Sequence, residues 1–318
     1  MRDSAFNLLG ENLFGEPIRP TAPLASRYVV PPFSVLRGDS FDWQQRKAAW
    51  RSTGIRSELG RTAPAFGDVS QRKARNLLPG GGGPNSAMRL AGGDEAPGQH
   101  QTSIFDPVIA ELAYTWFAPS GGTVLDPFAG GSVRGIVAAL LGFDYHGIEL
   151  RGEQVEANRE QAAQICPDNP PTWAVGDALE LLPTAPVCDF VFSCPPYHNL
   201  ERYSDDARDL SAMDWPTFLE AYRRIIAASV AKLKPGKFAC FVVGDFRDKA
   251  TGALRGFPAE TIAAFTSAGA DLWNEIIYIT PAGSLPVRVG AQFEKSRKIG
   301  RQHQSVFVFK KPESEVGR

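Results

Sequence analysis

The sequence predicts an α/β domain from residue 102 onward: a mostly parallel sheet covered by helices on both faces and ending in an antiparallel hairpin. Three observations predict it. Strand-like and helix-like units alternate through this region, as they do where parallel strands are joined by crossover helices. A short apolar run, Thr123-Val124-Leu125, ends in Asp126 and passes into Gly130-Gly131 before a helical pattern begins; open α/β sheets bind ligands at such strand ends. The last two strand-like runs are separated by a basic stretch without helical pattern, so they are expected to pair antiparallel.

Taken in order, residues 1–101 are rich in proline, glycine and polar side chains and read as an irregular N-terminal extension, a candidate DNA-contacting arm. Within it a short helix is expected over 41–50, capped by Asp39 or Ser40. The glycine run Gly80-Gly81-Gly82-Gly83 reads as a flexible loop. In the domain of residues 102–318, strands are expected at 122–126, 145–149, 172–175, 190–193, 238–243, 274–280 and 305–310. Helices are expected at 107–117, 132–141, 152–164, 215–233 and 258–268, with 281–304 as a basic loop. Thr102-Ser103-Ile104-Phe105-Asp106-Pro107 reads as a helix start, with Pro107 at the first helical position.

Composition narrows the function classes. The 318 residues are 43% hydrophobic, enough for an ordinary buried core. No run approaches the roughly 18–20 apolar residues of a membrane helix, and Met1-Arg2-Asp3-Ser4 opens no signal-peptide pattern, so a cytoplasmic location and no membrane partner are expected. Cys166, Cys188, Cys194 and Cys240 lack CxxC spacing; they are expected to be reduced thiols, and no metal site is expected. With 34 basic and 35 acidic residues there is no global field to attract nucleic acid. Locally, Arg288, Lys295, Arg297, Lys298, Arg301, Lys310 and Lys311 face only Glu294, a segment that suits either phosphates or plain solvent.

Two constellations carry chemistry. Asp126, Glu149 and Asp177 fall at three successive strand ends, beside Gly130 and Gly131 and the helix start at Ser132. Glycine there lets the backbone approach a ligand; Glu149 is placed to accept both hydroxyls of a ribose, and Asp177 a hydrogen bond from an adenine amino group. Each acid alone reads as a loop cap, but three in register are harder to dismiss. A dinucleotide site would use the same geometry, yet Gly130-Gly131-Ser132-Val133-Arg134-Gly135 does not give G-x-G-x-x-G in register. The second constellation is Phe192-Ser193-Cys194-Pro195-Pro196-Tyr197, a rigid diproline and an aromatic at the end of another strand.

The runs Leu125-Asp126-Pro127-Phe128-Ala129-Gly130-Gly131-Ser132 and Ser193-Cys194-Pro195-Pro196-Tyr197 together resemble the S-adenosylmethionine-dependent DNA amino-methyltransferases. In that family the cofactor motif ends in FxGxG or a relative, and the catalytic motif is (D/N/S)PP(Y/F). The region from Ser103 to the terminal hairpin, with Val30-Pro31-Pro32-Phe33-Ser34-Val35-Leu36, looks like DNA methylases of phages and prophages. The resemblance implies a Rossmann-like, seven-stranded class I methyltransferase sheet, S-adenosyl-L-methionine as cofactor and DNA as partner. It implies methyl transfer to the exocyclic amino group of a flipped base, cytosine N4 or adenine N6. Cofactor contacts would come from Phe105, Asp106, Asp126, Phe128, Gly130, Gly131, Ser132, Glu149 and Asp177. In the catalytic run, position 194 and the Pro195 carbonyl would each accept an amino proton, and Tyr197 would stack on the base, with Ser193 and Pro196 framing them. Arg288, Arg297, Lys298, Arg301 and His303 are the candidate DNA contacts.

Cys194 departs from the family, because thiol sulfur is a poor acceptor. Either Ser193 or backbone carbonyls compensate and an amino group is still methylated, or Cys194 adds to cytosine C6 and the product is 5-methylcytosine, with Glu201 as the nearest proton donor. Cys194 also reads as inert packing, and His198 as surface or hydrogen-bonded filler rather than a catalytic base. RNA or protein methyltransferases, and an inactive DNA-binding module, are the rival readings. Recognition sequence and the choice of monomer or homodimer stay open.

Overall fold

The computed structural model describes residues 23–56, 105–198, 203–204, 206–283 and 285–313. The element order is α1 (Pro23–Tyr28), β1 (Val35–Arg37), α2 (Phe41–Ser52), α3 (Pro107–Phe117), β2 (Thr123–Asp126), α4 (Val133–Leu140), β3 (Asp144–Glu149), α5 (Gly152–Ile165), β4 (Thr172–Val175), α6 (Ala178–Leu181), β5 (Cys188–Ser193), α7 (Trp215–Lys232), β6 (Leu233–Val243), α8 (Phe257–Ser267), β7 (Asp271–Ile279), α9 (Leu285–Ser296) and β8 (His303–Lys310). The strands form one sheet in the order β1-β7-β8-β6-β5-β2-β3-β4. β8 runs antiparallel to both β6 and β7, and the remaining pairs are parallel. This is the Rossmann-like sheet with a terminal antiparallel pair that the sequence predicts.

Strict alternation along the strands divides the core into two layers. Val124, Phe190, Phe192, Cys240, Val242, Val306 and Val308 face the layer formed with α2, α3, α4 and α5. Leu125, Val191, Ala239, Phe241, Val243, Phe307 and Phe309 face α6, α7 and α8. Helix starts follow local chemistry: Asp106 accepts from the Val108 N–H with Pro107 in the first turn of α3, and Asp214 accepts from the Thr217 N–H to open α7.

Two expectations are corrected. Instead of seven strands, the described residues form eight, because Val35-Leu36-Arg37 pairs with β7 at Ile277-Tyr278-Ile279; three residues between prolines and Gly38 are too few to show periodicity. The segment 281–304 is not simply a loop, since it holds α9. Pro286 and Gly290 obscured that helix in the sequence, and much of it stays exposed.

The N-terminal segment also does more than extend from the core. Helix α2 forms as expected, with Ser40 capping Trp43 N–H, but its Trp43 and Trp50 are buried to 4% and 0% exposure. Two acids, Glu111 within α3 and Asp106 at its N-cap, hold it. Glu111, itself 2% exposed, accepts from Arg46 Nε at 2.6 Å and Trp50 Nε1 at 2.8 Å. Asp106 accepts from Trp43 Nε1 at 3.2 Å and from the Tyr278 hydroxyl at 2.8 Å, beside Lys47 Nζ at 3.2 Å. The glycine run 80–83, residues 102–104 and Glu201 lie outside the described residues. Among the described residues no helix is long and apolar enough to cross a membrane.

Candidate active site

The loop after β2 is built around a buried ion pair. Asp126, with no exposed surface, accepts from Arg134 Nε at 2.6 Å, the Tyr145 hydroxyl at 2.7 Å, the Ser193 hydroxyl at 2.5 Å and the Phe128 N–H at 3.1 Å. Arg134 Nη2 donates to the carbonyls of Phe128, at 2.6 Å, and Ala129, at 2.9 Å. Burial alone would lower the Arg134 pKa, but the Asp126 charge outweighs it and the pKa is raised, so the guanidinium stays charged. Asp126 thus shapes the loop rather than facing a ligand.

Gly130, the αL residue of this turn at φ 53°, is gripped from both sides. Its N–H donates to Glu149 Oε2 at 2.9 Å and its carbonyl accepts from Asn158 Nδ2 at 2.8 Å. Asn158 Oδ1 in turn accepts from Gln154 Nε2, and Gln154 Oε1 from Arg151. Glu149 Oε1 accepts from the Arg151 N–H at 3.0 Å. Burial pushes the Glu149 carboxyl up, against the opposing pull of Arg151 and these N–H groups. The sequence offered no reason to pick out Arg134, Arg151, Gln154 or Asn158, because polar residues on a helix face have no spacing signature of their own.

The other expected cofactor residues fall around this turn. Asp177 caps α6 through the Leu179 N–H at 2.9 Å, the plain role open to it, and sits half-buried. Ser132 donates to Gln161 Oε1 at 2.9 Å, and Gln161 binds both backbone groups of Arg56, tying the N-terminal segment to α5. Phe128 stacks on Tyr222. Phe105 lies under the Arg134 guanidinium, 4.7 Å from its ring centre, and against Phe192.

At the carboxyl ends of β5 and β6, next along the sheet from β2, is a cavity of about 390 Å³. Its walls come from four parts of the chain. Lys47 comes from α2; Phe105, Asp106 and Ile109 from the start of α3; Cys194 and Tyr197 from the diproline run; and Gly244, Asp245, Thr280, Arg301, His303 and Gln304 from the far half of the sheet. Ser193 is absent from this lining and fully buried, its hydroxyl committed to Asp126. The Tyr197 hydroxyl accepts from Gln304 Nε2 at 2.7 Å and lies 3.8 Å from Cys194 Sγ; burial raises its pKa well above the usual phenol value. Asp245 is a further acid in the same wall that the sequence reading passed over.

Of the basic candidates, Arg301 and His303 reach the cavity. Arg297, in the αL region at φ 54°, packs over Phe293, and Lys298 lies against Gly252; neither lines the cavity. Arg288 falls on α9. His198 is buried at 3% exposure, with Nε2 on the Met213 carbonyl at 2.9 Å and its ring among Trp215, Phe218 and Phe246, so of the surface and filler readings it takes the second.

No family model matches the sequence, and no curated protein does. Among solved structures, TrmN from Thermus thermophilus matches at 18% identity and TM-score 0.44 over 65% of this chain and 49% of its own. PH1948 from Pyrococcus horikoshii matches at 16% identity and TM-score 0.44, over 71% and 95%. TTHA0409, also from Thermus thermophilus, named as a DNA modification methylase and solved with S-adenosyl-L-methionine, matches at 25% identity and TM-score 0.33, over 44% and 53%. The matches thus span about half the length of TrmN and of TTHA0409. The [4+2]-cyclase SpnF matches at 15% identity and TM-score 0.47, over 69% and 86%.

Proposed function

We propose that this chain is an S-adenosyl-L-methionine-dependent methyltransferase acting on the exocyclic amino group of a flipped DNA base, cytosine N4 or adenine N6. The observation that carries the reading is the adjacency of two sites. The Gly130 turn, with Glu149 and Asp177 at neighbouring strand ends, is joined to the cavity walled by Cys194 and Tyr197 through Phe105, which lines that cavity and lies under Arg134, and through Ser193, which precedes Cys194 and donates to Asp126. The first suits a nucleoside: Glu149 presents a carboxylate to ribose hydroxyls, Asp177 an acceptor to an adenine amino group, and Phe105 an apolar face. When bound, the cofactor supplies a methyl group on a sulfonium, whose departure leaves a neutral thioether. The chain's part is positioning: holding the amino nitrogen in line and taking up its protons.

Two tests follow. Glu149→Ala is expected to weaken S-adenosyl-L-methionine binding by about 10- to 100-fold in calorimetry, the range for losing hydrogen bonds to a charged group. Unchanged affinity would remove Glu149 from the cofactor site. Nucleoside mass spectrometry of DNA incubated with labelled cofactor is expected to find label in N4-methylcytosine or N6-methyladenine, with activity retained in Cys194→Ser, since serine occupies this position in related motifs. Label in 5-methylcytosine, abolished by that substitution, would make Cys194 a covalent nucleophile and overturn the amino-transfer reading.

A further inference from the structure

We propose that Asp245 is the catalytic acceptor for the amino protons of the substrate base, the role that Cys194 is chemically unsuited to fill; this rests on the amino-transfer reading above. The acceptors near the cavity differ in what they have left to offer a substrate. Thiol sulfur at Cys194 accepts weakly. Ser193, the obvious substitute, is buried outside the cavity with its hydroxyl donated to Asp126. Asp106 is consumed by the Val108 N–H, Trp43, Tyr278 and Lys47. The Tyr197 hydroxyl already accepts from Gln304. Asp245 is arranged differently. Its Oδ1 takes two backbone N–H groups, Phe246 at 2.9 Å and Phe257 at 3.2 Å. Among the described residues its Oδ2 has only the Arg301 guanidinium, at 3.7 Å, beyond hydrogen-bond length.

This geometry fixes one oxygen on the protein and leaves the other with lone pairs to spend in the cavity. The side chain is 8% exposed, so water competes little for those lone pairs. Asp245 follows Gly244 at the end of β6, the strand that pairs in parallel with β5, where Cys194 follows Ser193. It thus reaches the same cavity from the neighbouring strand. As the nitrogen forms its bond to the methyl carbon, the carbon–sulfur bond breaks with its electron pair going to sulfur. The positively charged nitrogen then gives one proton to Asp245 Oδ2, from which it passes to water.

The two backbone donors make the test sharp. In Asp245→Asn they require the amide oxygen to face them, so the –NH₂ is turned toward the cavity and opposes the amino protons of the base. Wild type and variant are incubated with labelled S-adenosyl-L-methionine and unmethylated genomic DNA, and cofactor affinity and melting temperature are measured on the same samples. The expected result is a loss of label incorporation of about 100-fold or more, with cofactor affinity within about threefold of wild type and an unchanged melting temperature. If the asparagine variant does not fold, Asp245→Ser, smaller and able to accept from the Phe246 N–H, is expected to show the same loss. Incorporation by the folded variant within threefold of wild type would overturn the role of Asp245 and leave the proposed function standing. A wild-type enzyme that labels only 5-methylcytosine, or labels no DNA, would overturn the function and this inference with it.

Discussion

Asp126→Ala is expected to destabilise the protein by about 3–5 kcal/mol, the cost of leaving one member of a buried ion pair alone. The carboxylate has no exposed surface and serves four donors, of which Arg134 is charged and 5% exposed. Without Asp126 that guanidinium is a buried cation left, among the described residues, with two loop carbonyls and the face of Phe105. Thermal unfolding should show a drop on the order of 10 °C at the usual 2–4 °C per kcal/mol. Pairing the change with Arg134→Leu should recover part of the loss, because the double variant strands no charge. A single variant as stable as wild type would show that the loop does not depend on this pair. Cofactor binding should fall with it, for a structural reason: the turn that presents Gly130 and Glu149 is held open by Arg134 gripping the Phe128 and Ala129 carbonyls.

That role separates what the sequence showed from what it hid. Asp126, Glu149 and Asp177 were legible as strand-end acids because strand ends, glycine turns and helix starts each leave local marks, and α3, β4 and the Gly130 turn fall where those marks lie. Their duties were not legible. Whether a strand-end acid faces a ligand or a buried arginine depends on Arg134, Tyr145 and Ser193 arriving from three other places, contacts with no local signature. Asp245 was missed for the same reason: Gly244-Asp245 looks like any strand-to-loop junction until the sheet order sets it beside Cys194. Helix α9 was missed because its apolar residues Val287 and Phe293 remain exposed, so no core dictates their spacing.

A chain beginning at residue 102 is expected not to fold stably, although residues 1–101 read from sequence as an irregular extension. Trp43 and Trp50 fill the layer over α3, and losing a buried aromatic of that size costs about 3–5 kcal/mol each. Together they approach the whole 5–15 kcal/mol stability of an ordinary domain. Their loss also strips Glu111 of Arg46 and Trp50, and Asp106 of Trp43 and Lys47, leaving two carboxylates in a site built to neutralise them. The edge of β7 beside Tyr278 would lose β1 as well. Circular dichroism and gel filtration of the truncated chain should therefore find unfolded or aggregated material. A milder pair of variants separates packing from charge: Trp50→Ala removes mainly buried surface, whereas Glu111→Gln keeps the shape and removes the partner of Arg46. If a chain starting at 102 melted as cooperatively and at the same temperature as the full chain, α2 would be an appendage after all. Lys47 and Asp106 would then not be fixed parts of the cavity wall, and the N-terminal segment could be assigned to DNA contact alone.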